Sequence, residues 1–197
     1  MMAGADRAKL SRAVFLDRDG TINVEKDYLH CIEDFEFIPG VPEAISALNK
    51  AGFLVVVVTN QSGVARGYYD LEAVHTLHAH IAQRLAPAGA VIDAWYVCPH
   101  HPENGIGEYL CDCFCRKPLP GMLLEAAERY AIDLSASYMV GDKLADVNAA
   151  LAAGCTPLLV RTGYGAEVES KLPAGVVAVD DLAAAVQNIV ATVESGR

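Results

Sequence analysis

Phe53-Leu54-Val55-Val56-Val57-Val58-Thr59-Asn60 is the stretch that decides the fold. Six successive apolar side chains leave no polar face, and four of them are β-branched valines. Successive side chains of a strand point to opposite faces, so such a run is covered on both sides, as in a parallel sheet between helical layers. Ala13-Val14-Phe15-Leu16 repeats the pattern upstream and ends in Asp17. Downstream, Ala94–Val97 ends in Cys98, Tyr138–Val140 in Gly141-Asp142, Leu158–Val160 in Arg161 and Val176–Val179 in Asp180. Helical segments separate these runs. Val41–Lys50 has Pro42 near its start and Gly52 just past its end, the asymmetry that backbone geometry favours. After Asp70, a natural N-cap, Leu71, Val74, Leu77, Ile81 and Leu85 recur at spacings of three and four. Gly121–Tyr130, Leu144–Ala153 closed by Gly154, and Leu182–Val190 complete the set. Strands alternating with helices predict an α/β fold, a three-layer αβα Rossmann-like parallel sheet.

Composition bounds what such a domain can do. The 197 residues fit a single domain over 1–197 that buries about 70% of its unfolded surface without disulfides. Charged residues make up 20% and hydrophobic ones 53%, which excludes intrinsic disorder. A net charge of −10 opposes nucleic acid and anionic lipid, so neither is an expected partner. No apolar stretch is long enough to span a bilayer, and Met1–Arg7 has no apolar core of a signal peptide. The reading is a cytoplasmic monomer acting on a small molecule.

In open α/β sheets, ligands bind beyond the carboxyl ends of the strands. Asp17, Thr59-Asn60, Cys98 and Asp142 all fall there. In Leu16-Asp17-Arg18-Asp19-Gly20-Thr21, two carboxylates two residues apart share a small volume next to a glycine turn. Like charges that close disfavour double ionisation unless a cation intervenes, which suits a division of labour. Asp17 can attack phosphorus while Asp19 protonates the leaving oxygen and then activates water, with magnesium lowering the repulsion. A calcium loop fits poorly, because Gly20 stands at loop position 4 rather than 6.

Four of the six cysteines lie between 98 and 115. In a reducing compartment this density reads as metal binding. Cys98-Pro99-His100 and Cys113-Phe114-Cys115 are two short arms able to build a closed, structural zinc tetrahedron. Spacing alone leaves Cys111 open as a substitute for Cys115, and His101 for His100. The predicted staple directly precedes Arg116-Lys117, two cations suited to an anionic substrate. His75, His78 and His80 make no metal face and read as solvated or partly packed. The Gly163/Gly165 segment reads as a flexible loop without a role.

Phe15–Asn23, Val58–Gly67, Cys115-Arg116-Lys117-Pro118 and Tyr138–Lys143 resemble, in order, the signatures of the haloacid-dehalogenase-type phosphatases. Within them they are most similar to the heptose 1,7-bisphosphate 7-phosphatases and the related histidinol-phosphate phosphatases. The resemblance implies Asp17 as nucleophile and Asp19 as acid/base. It implies magnesium on Asp17, Asp19 (through its carbonyl) and Asp142, and zinc on Cys98, His100, Cys113 and Cys115. Substrate and phosphate contacts are implied for Glu25, Lys26, Asp27, Tyr28, Thr59, Asn60, Gln61, Ser62, Arg116, Lys117 and Lys143. The implied reaction is removal of the C7 phosphate of a heptose bisphosphate, feeding nucleotide-activated heptose and lipopolysaccharide core. Histidinol phosphate is the rival substrate, and a non-catalytic phosphosugar or metal-binding module the rival class. The segments Gly20–Gly40 and Cys98–Arg116 are loop-sized, so no separate cap domain is expected over the site.

Overall fold

The computed structural model describes residues 10–195. Six parallel strands form one sheet: β1 (Ala13–Leu16), β2 (Leu54–Asn60), β3 (Ala94–Cys98), β4 (Tyr138–Gly141), β5 (Thr156–Val160) and β6 (Val177–Val179). Their order is β3-β2-β1-β4-β5-β6. The chain runs one way from β1 to β3 and the other way from β4 to β6, so the order reverses between β1 and β4. Register pairs Leu16 with Val57 on one side and with Val140 on the other. This brings the ends of the first and fourth strands nearly level, with β2 running three residues past Val57 to Asn60.

Period-two alternation divides the sheet's side chains between two cores. Val14, Leu16, Val55, Val57 and Val140 join α1 (Val41–Lys50), α3 (Leu71–Leu85) and α7 (Leu182–Ser195) on one face. Ala13, Phe15, Val56, Val58 and Met139 join α4 (Gly121–Tyr130) and α5 (Leu144–Ala153) on the other. The three-layer expectation from the Val55–Val58 run is met: all four valines are fully buried. Asp70 caps α3 by accepting the Ala73 N–H at 2.8 Å, and Gly154 closes α5 in the left-handed conformation.

Two short helices were not visible as periodic patterns. They are α2 (Ser62–Ala65) and α6 (Gly165–Val168), each a single turn. One turn is too short to show a 3.6-residue repeat. The segments before α1 and after β3 are loops with short 3₁₀ turns. Among the described residues no helix is long and apolar enough to cross a membrane.

Phe15 is fully buried in β1, two residues before Asp17. Phe15→Ala should cost about 3–5 kcal/mol through lost burial and a residual cavity. Urea denaturation measures this, and a loss under about 1 kcal/mol would mean that the second core collapses around the gap.

Candidate active site

The site forms where the strand order reverses. Asp17 leaves the end of β1 and Asp142 the end of β4, with the Asp17 N–H bonded to the Val140 carbonyl at 3.0 Å. Carboxylate oxygens of Asp17, Asp142 and Asp146 lie within 4.8 Å of one another, and all three residues are buried. Such a cluster needs positive charge, and Lys117 supplies it. Its ammonium, on a residue 3% exposed, pairs with Asp17 Oδ1 at 2.9 Å and Asp146 Oδ1 at 2.6 Å and donates to the Val58 carbonyl at 2.7 Å. Burial works against that charge, but Asp146 and Asp17 outweigh it and hold the ammonium above the usual lysine range. Asp17 Oδ1 also accepts the Arg18 N–H at 2.8 Å.

Asn60 clasps this lysine's backbone. Its side chain donates to the Lys117 carbonyl at 2.9 Å and accepts the Lys117 N–H at 3.1 Å. Thr59, buried at the end of β2, accepts from Gln61 Nε2 at 2.8 Å. Asp146 has a second task besides its ion pair: its Oδ2 accepts the Lys143 N–H at 3.0 Å and caps α5.

Asp142 is shaped differently. Oδ2 accepts the Tyr164 N–H at 2.9 Å, while the buried Oδ1 has no hydrogen-bond partner among the described residues. The nearest cation to it, Lys143 Nζ, is 4.0 Å away. Burial, then the Asp17 charge, pushes the Asp142 carboxyl up to about 8. An orphaned buried carboxylate oxygen facing a second carboxylate suits a hard divalent cation, which takes one or two protein carboxylates and keeps several waters. The residues present therefore fit magnesium.

Asp19 stands at the wall of an open pocket, with a side chain 15% exposed. Burial would raise its carboxyl, but the Arg18 charge and hydrogen bonds from Asn23, Gln61 and Arg18 outweigh it and hold it below the usual range. Glu25, Asp27, Tyr28, Asn60, Ser62 and Lys143 line the same pocket. Glu25 pairs with Lys143 at 3.0 Å. Lys26 is not brought there. Its ammonium turns outward to the Asp34 carbonyl at 2.7 Å and to Glu36 at 3.5 Å.

The loop after β5, read from sequence as having no role, supports the site. Thr162 Oγ1 donates to the Gly20 carbonyl at 2.6 Å, and Tyr164 lines the pocket and donates through its hydroxyl to Asp27 at 3.1 Å. A Cβ at Gly20 (φ +80) or Gly163 (φ +56) would collide with the Asp142 carboxylate, so both loops press on that carboxylate by backbone alone. The two glycines flanking Tyr164 were the available signal: a loop pressed against buried backbone needs residues without Cβ.

After β3, Cys98 Sγ lies 3.6 Å from Cys113 Sγ, and Cys115 Sγ is 3.4 Å from both Cys113 Sγ and His100 Nδ1. All four ligand atoms fall within 4.8 Å of one another. The edges of a zinc tetrahedron with nitrogen and thiolate ligands are about 3.6–3.8 Å, so this set fits zinc. The choices left open by spacing are resolved by placement. His101 Nδ1 is used by the Glu103 and Asn104 N–H groups, at 3.1 and 3.0 Å. Cys111 stands outside the four-atom group. Arg116 is tied to the same loop through the His100 carbonyl, at 3.0 Å.

Sheet order, facing carboxylates at its reversal and a buried lysine between them define a phosphatase of the haloacid-dehalogenase class. A family model described as HAD-hyrolase-like matches residues 114–185. The D-glycero-beta-D-manno-heptose-1,7-bisphosphate 7-phosphatase of Escherichia coli (strain K12) is 53% identical over 79% of this chain and 82% of its own. The Yersinia pestis protein of that name is 50% identical over 82% of this chain and 87% of its own. The crystal structure of D,D-heptose 1.7-bisphosphate phosphatase from B. bronchiseptica, complexed with magnesium and phosphate, aligns with a TM-score of 0.83 at 40% identity, covering 92% of this chain and 99% of that one. The chain belongs to the family of the D-glycero-beta-D-manno-heptose-1,7-bisphosphate 7-phosphatases.

The raised Asp142 value sets a pH dependence with a defined sign. Between an unfolded value near 3.8 and a folded one near 8, the cation-free fold binds a proton that the unfolded chain does not, so its stability falls as pH rises through that window. A divalent cation displaces this proton, so magnesium should raise the melting temperature more near pH 8 than near pH 5. Thermal melts with and without magnesium at both pH values check this; a shift independent of pH would place the ion elsewhere.

Proposed function

We propose that the chain hydrolyses the C7 phosphate of D-glycero-D-manno-heptose 1,7-bisphosphate through an aspartyl-phosphate, in the supply of nucleotide-activated heptose for lipopolysaccharide core. The single observation that carries this reading is Asp17 facing Asp142 across the strand reversal, with Lys117 Nζ 2.9 Å from Asp17 Oδ1. The family supplies the substrate.

Asp17 Oδ1 is held by Lys117 and the Arg18 N–H, which leaves Oδ2 for attack on phosphorus. The new Oδ2–P bond forms as the bond from phosphorus to the C7 oxygen breaks, and that oxygen takes a proton from Asp19. Arrival of the anionic phosphate favours the protonated form of Asp19, against the pull of Arg18. Water then attacks phosphorus, its proton passes to Asp19, and the Asp17–phosphorus bond breaks. Thr59, Asn60 and Lys117 hold the transferring group, and Lys143 adds charge at the rim. Asp17, Asp142 and the Asp19 carbonyl would hold magnesium, which would supply charge neutralisation around the phosphate.

Arg116, fixed by a zinc-stapled loop of Cys98, His100, Cys113 and Cys115, faces the second phosphate of the substrate. Glu25, Asp27, Tyr28 and Ser62 meet the sugar, while Lys26 stays outside the pocket. The protein works as a cytoplasmic monomer, one domain over 1–197.

Phosphate release from both heptose bisphosphate anomers, fructose 1,6-bisphosphate and histidinol phosphate, with and without magnesium, tests the substrate. Heptose bisphosphate should be preferred by at least about tenfold, and Asp17→Asn should remove turnover while leaving the thermal melt intact. A preference for histidinol phosphate would overturn the substrate, and residual turnover in Asp17→Asn the nucleophile.

Metal analysis of the purified chain should return about one zinc per molecule, and chelation should lower its melting temperature. A zinc-free protein of unchanged stability and activity would remove the staple.

A further inference from the structure

Arg18 sits between the two catalytic carboxylates in sequence, yet its side chain turns away from solvent and is 0% exposed. Its guanidinium is used on every side. Nε and Nη2 donate to Asp19 Oδ1 at 3.1 and 3.0 Å, and Nη2 also reaches Asp19 Oδ2 at 2.9 Å. Nη2 further contacts the Leu29 carbonyl at 2.9 Å and Gln61 Oε1 at 3.2 Å. Nη1 faces His78 Nε2 at 3.4 Å.

The protonation logic of this group is closed. An arginine only donates, so the oxygen of the Gln61 amide must face it, which turns Gln61 Nε2 toward Asp19 Oδ2 at 3.0 Å. The Tyr69 hydroxyl donates to the same amide oxygen at 2.8 Å. By the same rule His78 Nε2 must offer a lone pair to Nη1, which puts the ring proton on Nδ1. Burial, and then the Arg18 charge, pushes the His78 imidazolium down to about 3, so the ring is neutral at any working pH.

His78 is an expensive choice for this position. It lies on α3, whose other buried residues are Val74, Leu77, Ile81 and Leu85. Its Nδ1 is buried without a hydrogen-bond partner among the described residues. A leucine or phenylalanine there would carry no polar atom of its own to strand. The ring is also fixed in orientation, stacked on Trp95 of β3 at 4.2 Å and 22°. Among the described residues, the one hydrogen-bond contact of the histidine side chain is to Arg18.

We infer that His78 is a positioning residue for Asp19, acting through Arg18: its Nε2 anchors the outer guanidinium nitrogen, and the opposite edge of the guanidinium then fixes the Asp19 carboxylate at the pocket wall. This rests on the reading of Asp19 as the group that protonates the leaving oxygen. Without the Nε2 lone pair, Nη1 must seek another acceptor, and the guanidinium rotates with the Asp19 carboxylate attached to it. The damage then falls on leaving-group protonation, not on attack by Asp17.

The leaving group separates these steps. A sugar alkoxide needs the proton, whereas p-nitrophenolate departs without one. The kcat/KM value reports formation of the aspartyl-phosphate, the step in which Asp19 acts as acid. His78→Phe keeps the ring stacked on Trp95 but removes the nitrogen, and His78→Gln keeps an acceptor. His78→Phe should lower kcat/KM on heptose bisphosphate by about tenfold or more and on p-nitrophenyl phosphate by less than about threefold, with His78→Gln recovering most of the loss. Should His78→Phe fail to fold, judged by its thermal melt, His78→Leu serves in its place. Asp19→Asn should show the same selective loss, larger. Equal losses on both esters in the His78 variants, or none, overturn the inference alone when Asp19→Asn remains selective. An Asp19→Asn variant without selectivity overturns the reading of Asp19 itself.

Discussion

Lys117 keeps its charge in a nearly sealed position because it pairs with Asp17 and Asp146 and donates to the Val58 carbonyl. Three buried carboxylates gathered at the ends of two neighbouring strands would otherwise repel each other. Breaking a buried pair of this kind by deleting one partner costs about 3–5 kcal/mol, since the survivor is left uncompensated. Set against a total stability of about 5–15 kcal/mol, the lysine is as much a structural residue as a functional one. Its backbone is clasped by Asn60, and the chain reaches it directly from the cysteine loop. The tip of β2, the cysteine loop and α5 are thereby tied to Asp17 at one point.

Around that point the molecule separates rigid chemistry from adjustable recognition. Asp17, Thr59 and Asp142 stand on strand ends whose register is set by two-sided burial of the sheet. Asp27, Tyr28 and Tyr164 come from loops that meet one another through side chains, as in the Tyr164–Asp27 bond. Asp27 and Tyr28 both adopt positive φ, at 42° and 59°, a conformation that a non-glycine residue holds only where surrounding contacts enforce it.

What the sequence disclosed follows the same division. The Val55–Val58 run announced a sheet buried on both faces, and polar residues at the ends of Ala13–Leu16 and Tyr138–Val140 marked the catalytic edge. Those signals are local, because strand burial writes itself into consecutive residues. The supporting parts depend on contacts between distant segments. The glycines flanking Tyr164 hint at close packing but not that the loop will lie against Asp142, and Lys26 sits beside Glu25 and Asp27 yet faces outward. His78 carries no metal spacing, so it read as a bland helix residue; its partner is sixty positions away, buried under the catalytic loop. The cysteine cluster is an intermediate case. Its density suggested metal binding, but grouping His100 rather than His101 with the thiols required seeing that His101 already accepts two backbone N–H groups.

The glycine contacts beneath Asp142 bear on how such a protein can be re-engineered. Gly20 and Gly163 leave no room for even a methyl group next to that carboxylate. Libraries that randomise these loops wholesale would discard most of their members for steric reasons alone. Diversity placed in the 25–28 turn and at Tyr164 would instead sample new sugar shapes against an untouched hydrolytic floor.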